Sequence, residues 1–242
     1  MYNNKKVSVI LPTYNEKDSI RKVIQDFYII NVVDEVIVIN NKASAGTSEE
    51  VAKTNAREVL ESKQGYGHAI RRGFLEATGD YIVVCEPDDT FMAKDIFKLL
   101  AYANDCDVVY GTRTVSIFVW SGANMGRFLR YGNWAVAKLI EFLFNTISLS
   151  DVGCTMRLIT KPALKKINGH FSVGGEHFGP EMMLLSIIHK LKIVQIPVNY
   201  KKRVGISSVT GNLYKTIKLG IIMILFILKC RVLTLFRFSR KK

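Results

Sequence analysis

Cysteine is scarce in this 242-residue protein, and Cys85, Cys106, Cys154 and Cys230 lie far apart with no CxxC pair. That spacing argues against both a zinc site and a disulfide framework, and it fits a reduced, cytoplasmic setting. No G-x-G-x-x-G fingerprint and no P-loop is present, which argues against a dinucleotide or ATP enzyme. Acidic residues are few, 21 against 34 lysines and arginines, for a formal charge of +13. Such an excess implies an anionic partner: nucleic acid, a phosphorylated small molecule or an acidic membrane surface. The positive charge gathers in the tail and in scattered loops without a recognisable nucleic-acid module, so no nucleic acid is expected. At the N-terminus Lys5 and Lys6 precede only VSVIL before Pro12, too short an apolar run for a signal peptide.

At 48% hydrophobic the protein has enough apolar material to bury one substantial core. Val/Ile-rich runs recur at 7–11, 36–39, 81–85 and 108–110, each followed by polar or glycine residues and a helix-length segment. This alternation predicts an α/β fold with a mainly parallel central sheet flanked by helices. In such sheets ligands bind beyond the C-terminal ends of the strands, which directs attention to PTYNE, NNKASAG, EPDDT and GTR. Beyond these, the pattern predicts a helix from about 124 to 144, a loop through SDVGCTMR, a helix opened by FGPEMM and a last strand at 193–198.

CEPDDTF presents Glu86, Asp88 and Asp89 at the end of a buried strand. Acids two apart on a backbone leaving a strand can project to one side and offer oxygen ligands to Mg²⁺ or Mn²⁺. The same residues also read as a turn in which Asp89 or Thr90 caps a helix beginning near Ala93. KQGYGHAIRRG places two glycines just before a helical pattern, where backbone N–H groups can approach an anion.

Taken in order, VSVILPTYNE, VIVINNKASAGTSEEVA, KQGYGHAIRRGFLEATGDYIVVCEPDDTF, VVYGTR, DVGCTMRLI, FGPEMM and IPVNYKKRVGISSVTG resemble the family 2 glycosyltransferases, especially the dolichol-phosphate mannosyltransferase-like branch. The resemblance covers residues 7–211. It implies a GT-A fold, a nucleotide-diphosphate sugar donor, a divalent metal and an inverting transfer. By position, Pro12, Tyr14 and Glu16 match the donor-nucleotide loop, Asn40 the family's base-recognising aspartate, and Gly65 and Gly67 its glycine turn. Glu86 and Asp88 match the ends of the metal-binding acidic motif, with Glu for the first acid and Pro87 in the middle. The amide oxygen of Asn40 can accept from a uracil N3–H, whereas a guanine edge profits more from a carboxylate, so a uridine donor is favoured.

A lipid phosphate is already ionised at neutral pH and needs no general base, so cations should line its site. Arg113, Arg127 and Arg130 are candidates; in the resembling branch, arginines of these regions receive the acceptor phosphate, and the late loop, here with Arg203, closes over the donor diphosphate. A hydroxyl acceptor, as in glycan or glycolipid extension, would instead need a base. Glu181 in the first turn of its helix and His177 are the candidates for it. Asp151 and Arg157 match a segment near the acceptor side or form a structural pair. A sugar nucleotidyltransferase would carry a glycine-rich basic loop after the first strand, and LPTYNE is not one. A non-catalytic membrane-bound protein of the same fold is the reading from outside enzymology.

Residues 1–211 therefore form the expected catalytic domain and 212–242 a basic, apolar C-terminal helix. Its uninterrupted apolar run, 219–228, is about half of the ~20 residues that a spanning helix needs. At 100° per residue Lys215, Lys218, Lys229, Arg237 and Arg240 share one arc opposite a broad apolar face. That pattern predicts an amphipathic helix on an anionic membrane surface, at the cytoplasmic face, or else a helix docked on the protein's own core.

Overall fold

The computed structural model describes residues 1–205 and 212–239, with the backbone alone for 237–239. Seven strands, β1 (Val7–Thr13), β2 (Glu35–Asn40), β3 (Arg57–Leu60), β4 (Tyr81–Val84), β5 (Val108–Thr112), β6 (Arg157–Thr160) and β7 (Ile193–Pro197), form one sheet of order β3-β2-β1-β4-β6-β5-β7. β1 pairs in parallel with both β2 and β4, which makes the gap between the loops after β1 and β4 the topological switch point. β1 is buried along its whole length, as expected of a parallel strand covered on both faces.

Side chains alternate across the sheet and build a core on each face. On one face Val9, Leu11, Val38 and Val83 pack on α1 (Lys17–Ile29) and α4 (Ile96–Tyr102), with α2 (Thr47–Ala52) beside α1. The α1 stripe Ile20, Val23, Ile24 and Phe27 has the spacing of an amphipathic helix. On the other face Ile10, Ile37, Ile82 and Tyr110 pack on α3 (Tyr66–Glu76), α5 (Arg127–Phe144), α6 (Lys161–Ile167), α7 (Phe178–Ile188) and α8 (Leu213–Ser239).

Two strands were not expected. β3 (REVL) and β6 (RLIT) are only four residues long and carry charged or polar ends, so neither produces an apolar run. β6 is also antiparallel to both neighbours, β4 and β5. Its N-terminal end therefore lies at the C-terminal ends of β4 and β5, and the loop 151–156 feeds into the same region as Glu86 and Arg113.

The C-terminal helix is longer than the uninterrupted apolar run suggests. Leu213–Phe236 runs for 24 residues, contains an 18-residue window of mean hydropathy 2.3, and is long and apolar enough to cross a membrane. At 1.5 Å per residue those 24 residues span about 36 Å. One stripe docks on the body through Met223 and the fully buried Ile227, while Leu225, Leu228, Leu233 and Phe236 stay exposed. The Arg237 side chain and Arg240 of the expected basic arc lie outside the described residues.

Candidate active site

A cavity of about 610 Å³ opens at the switch point. Pro12 lines it at the end of β1, Tyr14 and Glu16 in the loop that follows, Asn41 after β2, Glu86 after β4 and Arg113 after β5. It then continues between α5 and α8, past Phe128, Leu129, Gly132 and Val136 on one side and Ile217, Gly220, Ile221 and Ile224 on the other. One end is therefore rich in charge and the other is aliphatic.

Three carboxylates lie around one guanidinium at the polar end. Arg203 Nη1 is 2.7 Å from Asp88 Oδ2 and 3.8 Å from Glu86 Oε2, and its Nη2 is 2.7 Å from Glu16 Oε1. Glu176 joins Glu16 and Glu86 on the cavity wall. Burial pushes the Glu86 carboxyl up to about 8, with the Asp88 charge adding to the shift and Arg203 opposing it. The Glu176 carboxyl is raised as well, by the surrounding protein and then by Glu16. An acid set this poorly neutralised, with oxygen donors only, fits a hard divalent cation such as Mg²⁺ or Mn²⁺. Among the described residues no group of three or more metal-binding side chains stands in ligating positions. Glu16 also builds the loop after β1, since its Oε2 accepts from Tyr14 N at 2.7 Å, Asn15 N at 2.9 Å and the Thr13 hydroxyl at 3.2 Å.

The expected helix cap after the acids does not form. The Thr90 hydroxyl donates to Asp88 Oδ1 at 2.6 Å, and the helix itself starts only at Ile96, after a 3-10 turn at Ala93–Asp95. Asp89, at φ 61°, faces away and pairs with Lys22 and Lys201.

Of the two asparagines at the end of β2, one faces away from the cavity and the other lines it. Asn40 turns out of the cavity: its Nδ2 donates to Glu58 at 2.8 Å and Ser48 at 3.2 Å, and its Oδ1 accepts from Ala43 N at 2.8 Å. Asn41 lines the cavity instead, and both ends of its amide are used. Its Nδ2 donates to Glu61 O and Lys63 O, and its Oδ1 accepts from Gly65 N at 2.7 Å. The glycine turn is thus built by Asn41, while the loop 173–174 covers it. A β-carbon at Gly65 or Gly67 would run into the carbonyls of Gly174 or Val173, and Gly65 sits at φ 141°, a value that L side chains rarely adopt.

Glu181 serves that same loop and is not placed as a base. It is 2% exposed, and its carboxylate accepts from Ser172 N and Oγ and from Val173 N. His177 precedes α7 with its ring edge on Phe226; burial lowers its pKa, and it does not line the cavity.

Arg113 lines the cavity, with its guanidinium 5.1 Å from the Tyr200 ring centroid, but its partner is Asp151. The expected pairing of Asp151 with Arg157 is absent. Arg157 is buried beneath the site, donating to Cys154 O at 2.5 Å and lying over Tyr110. Arg127 and Arg130 do not converge with Arg113. Phe128, Leu129, Gly132 and Val136 take the inward face of α5, which turns Arg127 and Arg130 to the far side, with Arg130 over Tyr131. Glu176, Asn41 and Tyr66 are cavity residues that the sequence reading did not single out; Asn41 lies inside NNKASAG and Tyr66 inside KQGYGHAIRRG, whereas Glu176 carried no signal.

A mainly parallel sheet with an acid-edged cleft at its switch point defines a GT-A type glycosyltransferase. The family model "Glycosyl transferase family 2" matches residues 8–168, and the chain belongs to that family. Among curated relatives, the dolichyl-phosphate hexose transferase of Haloferax volcanii is 29% identical over 201 residues, covering 82% of this chain and 84% of that protein. The low-salt glycan biosynthesis hexosyltransferase Agl6 of the same organism is 27% identical over 206 residues; the match covers 82% of this chain and only 48% of Agl6. Glucosyl-3-phosphoglycerate synthase from Mycobacterium tuberculosis, solved with Mn²⁺, UDP-glucose and phosphoglyceric acid, superposes with TM-score 0.75 at 17% identity over 94% of this chain and 80% of that one. That likeness shows the fold.

Proposed function

We propose that this glycosyltransferase moves a hexose from a nucleoside-diphosphate donor to a polyprenyl or dolichyl phosphate, with inversion, at the cytoplasmic face of a membrane. The observation that carries the reading is the continuity of one cavity from the acids at Glu16 and Glu86 to the aliphatic slot between α5 and α8. An acceptor with a charged head and a hydrocarbon tail matches both ends. The name of the Haloferax relative, which acts on dolichyl phosphate, supports the same class of acceptor. UDP-sugars are the first donors to try, because solved structures of this fold hold UDP, with GDP-mannose as the second.

In this reading Pro12, Tyr14, Glu16, Asn41, Gly65 and Gly67 form the donor side. Glu86 and Asp88 would hold Mg²⁺ or Mn²⁺, which when bound supplies positive charge to the departing diphosphate. Arg203 is long enough to add its own charge to that leaving group. Arg113 keeps one edge of its guanidinium on Asp151 and presents the rest to the acceptor phosphate. A phosphate oxygen forms the new bond to the anomeric carbon as the bond to the diphosphate breaks, and the electron pair leaves with the nucleoside diphosphate. No proton has to be removed. The exposed apolar side of α8, together with Lys215, Lys218 and Lys229, would hold the cavity against an anionic bilayer.

A hydroxyl acceptor is the second reading, and Glu176 favours it: this carboxyl faces the cavity with a raised pKa, as a base would. Release of nucleoside diphosphate, followed with polyprenyl phosphate and with unphosphorylated polyprenol in parallel, separates the two. Phosphate-dependent release that survives Glu176→Gln supports the proposal. Release with polyprenol that is abolished by Glu176→Gln supports the base reading and sinks the first.

A further inference from the structure

The acids expected to bind metal already hold a cation. Asp88 is 1% exposed and its Oδ1 accepts from both Thr90 N and the Thr90 hydroxyl. The oxygen left for a metal is Oδ2, and Arg203 Nη1 sits on it at 2.7 Å. The second arm of the guanidinium is held by Glu16 Oε1 at 2.7 Å. Arginine cannot lose its proton under ordinary conditions, so it leaves a carboxylate only by moving. Two cations within a few ångströms of one oxygen repel strongly, and most strongly in a site shielded from water.

The geometry also shows how Arg203 can move. The backbone on either side of it is fixed, with Lys201 N donating to Thr90 O at 2.7 Å and Val204 N to Asp88 O at 3.0 Å. Lys201 Nζ pairs with Asp89 at 2.8 Å and adds a third tie. Withdrawal of the guanidinium is therefore a side-chain rotation about an anchored backbone. In its present position the buried Nε has no hydrogen-bond partner among the described residues, an unsatisfied donor that an incoming anion can take up.

We propose that Arg203 is a placeholder cation: it occupies the metal-facing oxygen of Asp88 in the ligand-free protein and excludes a divalent ion until the donor diphosphate draws the guanidinium away. Nucleotide and metal then bind together, and the ion alone binds weakly. This inference rests on the reading of Glu86 and Asp88 as metal ligands.

The test is a Mn²⁺ titration of the full-length protein without nucleotide, followed by loss of the free-ion electron paramagnetic resonance signal. Arg203→Gln should bind Mn²⁺ at least about tenfold more tightly than the native protein, the scale of one charge-assisted hydrogen bond removed from competition. Arg203→Lys, which keeps the charge, should stay close to native. Thermal melts in chelator check folding, and Arg203→Met, which keeps most of the aliphatic stem, decides the matter if the glutamine variant is unstable. Equal or weaker Mn²⁺ binding by the uncharged variants overturns the placeholder. If those variants bind more tightly but adding Asp88→Asn leaves the gain intact, the ion sits elsewhere, and the metal reading of Asp88 is what fails.

Discussion

Arg113 and Asp151 meet in a two-pronged ion pair, Nε to Oδ2 at 2.9 Å and Nη2 to Oδ1 at 3.0 Å, with the Arg113 backbone N–H also donating to Oδ2. The pair ties the end of β5 to the loop entering β6, and the Asp151 side chain is fully buried. Asp151→Asn leaves a buried guanidinium without its counter-charge, which should cost about 3–5 kcal/mol of stability in urea unfolding at neutral pH. Burial alone would raise the Asp151 carboxyl, but the charge and hydrogen bonds of Arg113 outweigh it and hold the group below the usual range. A depressed folded pKa stabilises above the unfolded value, so the gap between native and variant should be full above about pH 4 and shrink as pH falls further.

Asn41, one residue past the position that the family pattern singles out, should matter more to the donor than Asn40. Asn41→Ala removes three hydrogen bonds that shape the glycine turn, and it should raise donor KM by about tenfold, the size of one or two buried hydrogen bonds. Asn40→Asp should leave the preference between UDP and GDP sugars unchanged. It sets a second carboxylate against Glu58 and should lower stability by about 0.5–1 kcal/mol. Steady-state kinetics on both donors and a thermal melt check the pair.

Glu181 holds the loop over the glycine turn, so its loss should be felt through positioning. Glu181→Ala frees Ser172 N and Val173 N and should lower the melting temperature and raise donor KM. The pH dependence of kcat should keep its shape, because this carboxylate touches no acceptor. A lost limb in the pH profile would return Glu181 to the role of base.

The outward face of α8 should govern membrane binding without governing the fold. Leu225 is 61% exposed and Leu233 is 53% exposed, whereas Ile227 is buried against the body. Leu225→Asp and Leu233→Asp together should cut co-sedimentation with anionic vesicles at least about tenfold, since each aspartate costs about 2.5–3.5 kcal/mol inside a bilayer. Circular dichroism should remain native.

The parallel half of the sheet was legible because strands buried on both faces are nearly continuous Val/Ile runs, and the ligand loops followed from their ends. β6 was not, and its reversed direction decides which arginine meets Asp151; Arg113 and Arg157 look equivalent in a linear reading. Which of Asn40 and Asn41 faces the cavity is illegible for a related reason, since moving one residue along a strand exchanges the two faces. Arg127 and Arg130 were correctly placed on one helix face, but the choice of face depended on the slot packed against α8. The apolar length of α8 reads short in the sequence because Lys218 and Lys229 bound the uninterrupted apolar run without interrupting the helix.

The most direct measurement is the identity of the lipid product. Purified protein incubated with Mn²⁺, polyprenyl phosphate and either a panel of UDP-hexoses or GDP-mannose should yield, by mass spectrometry of the organic extract, a lipid phosphate carrying one hexose in an acid-labile phosphodiester. Asp88→Asn should give none. Transfer to a lipid or glycan hydroxyl, or every donor recovered intact while polyprenyl phosphate remains unmodified, would contradict the account.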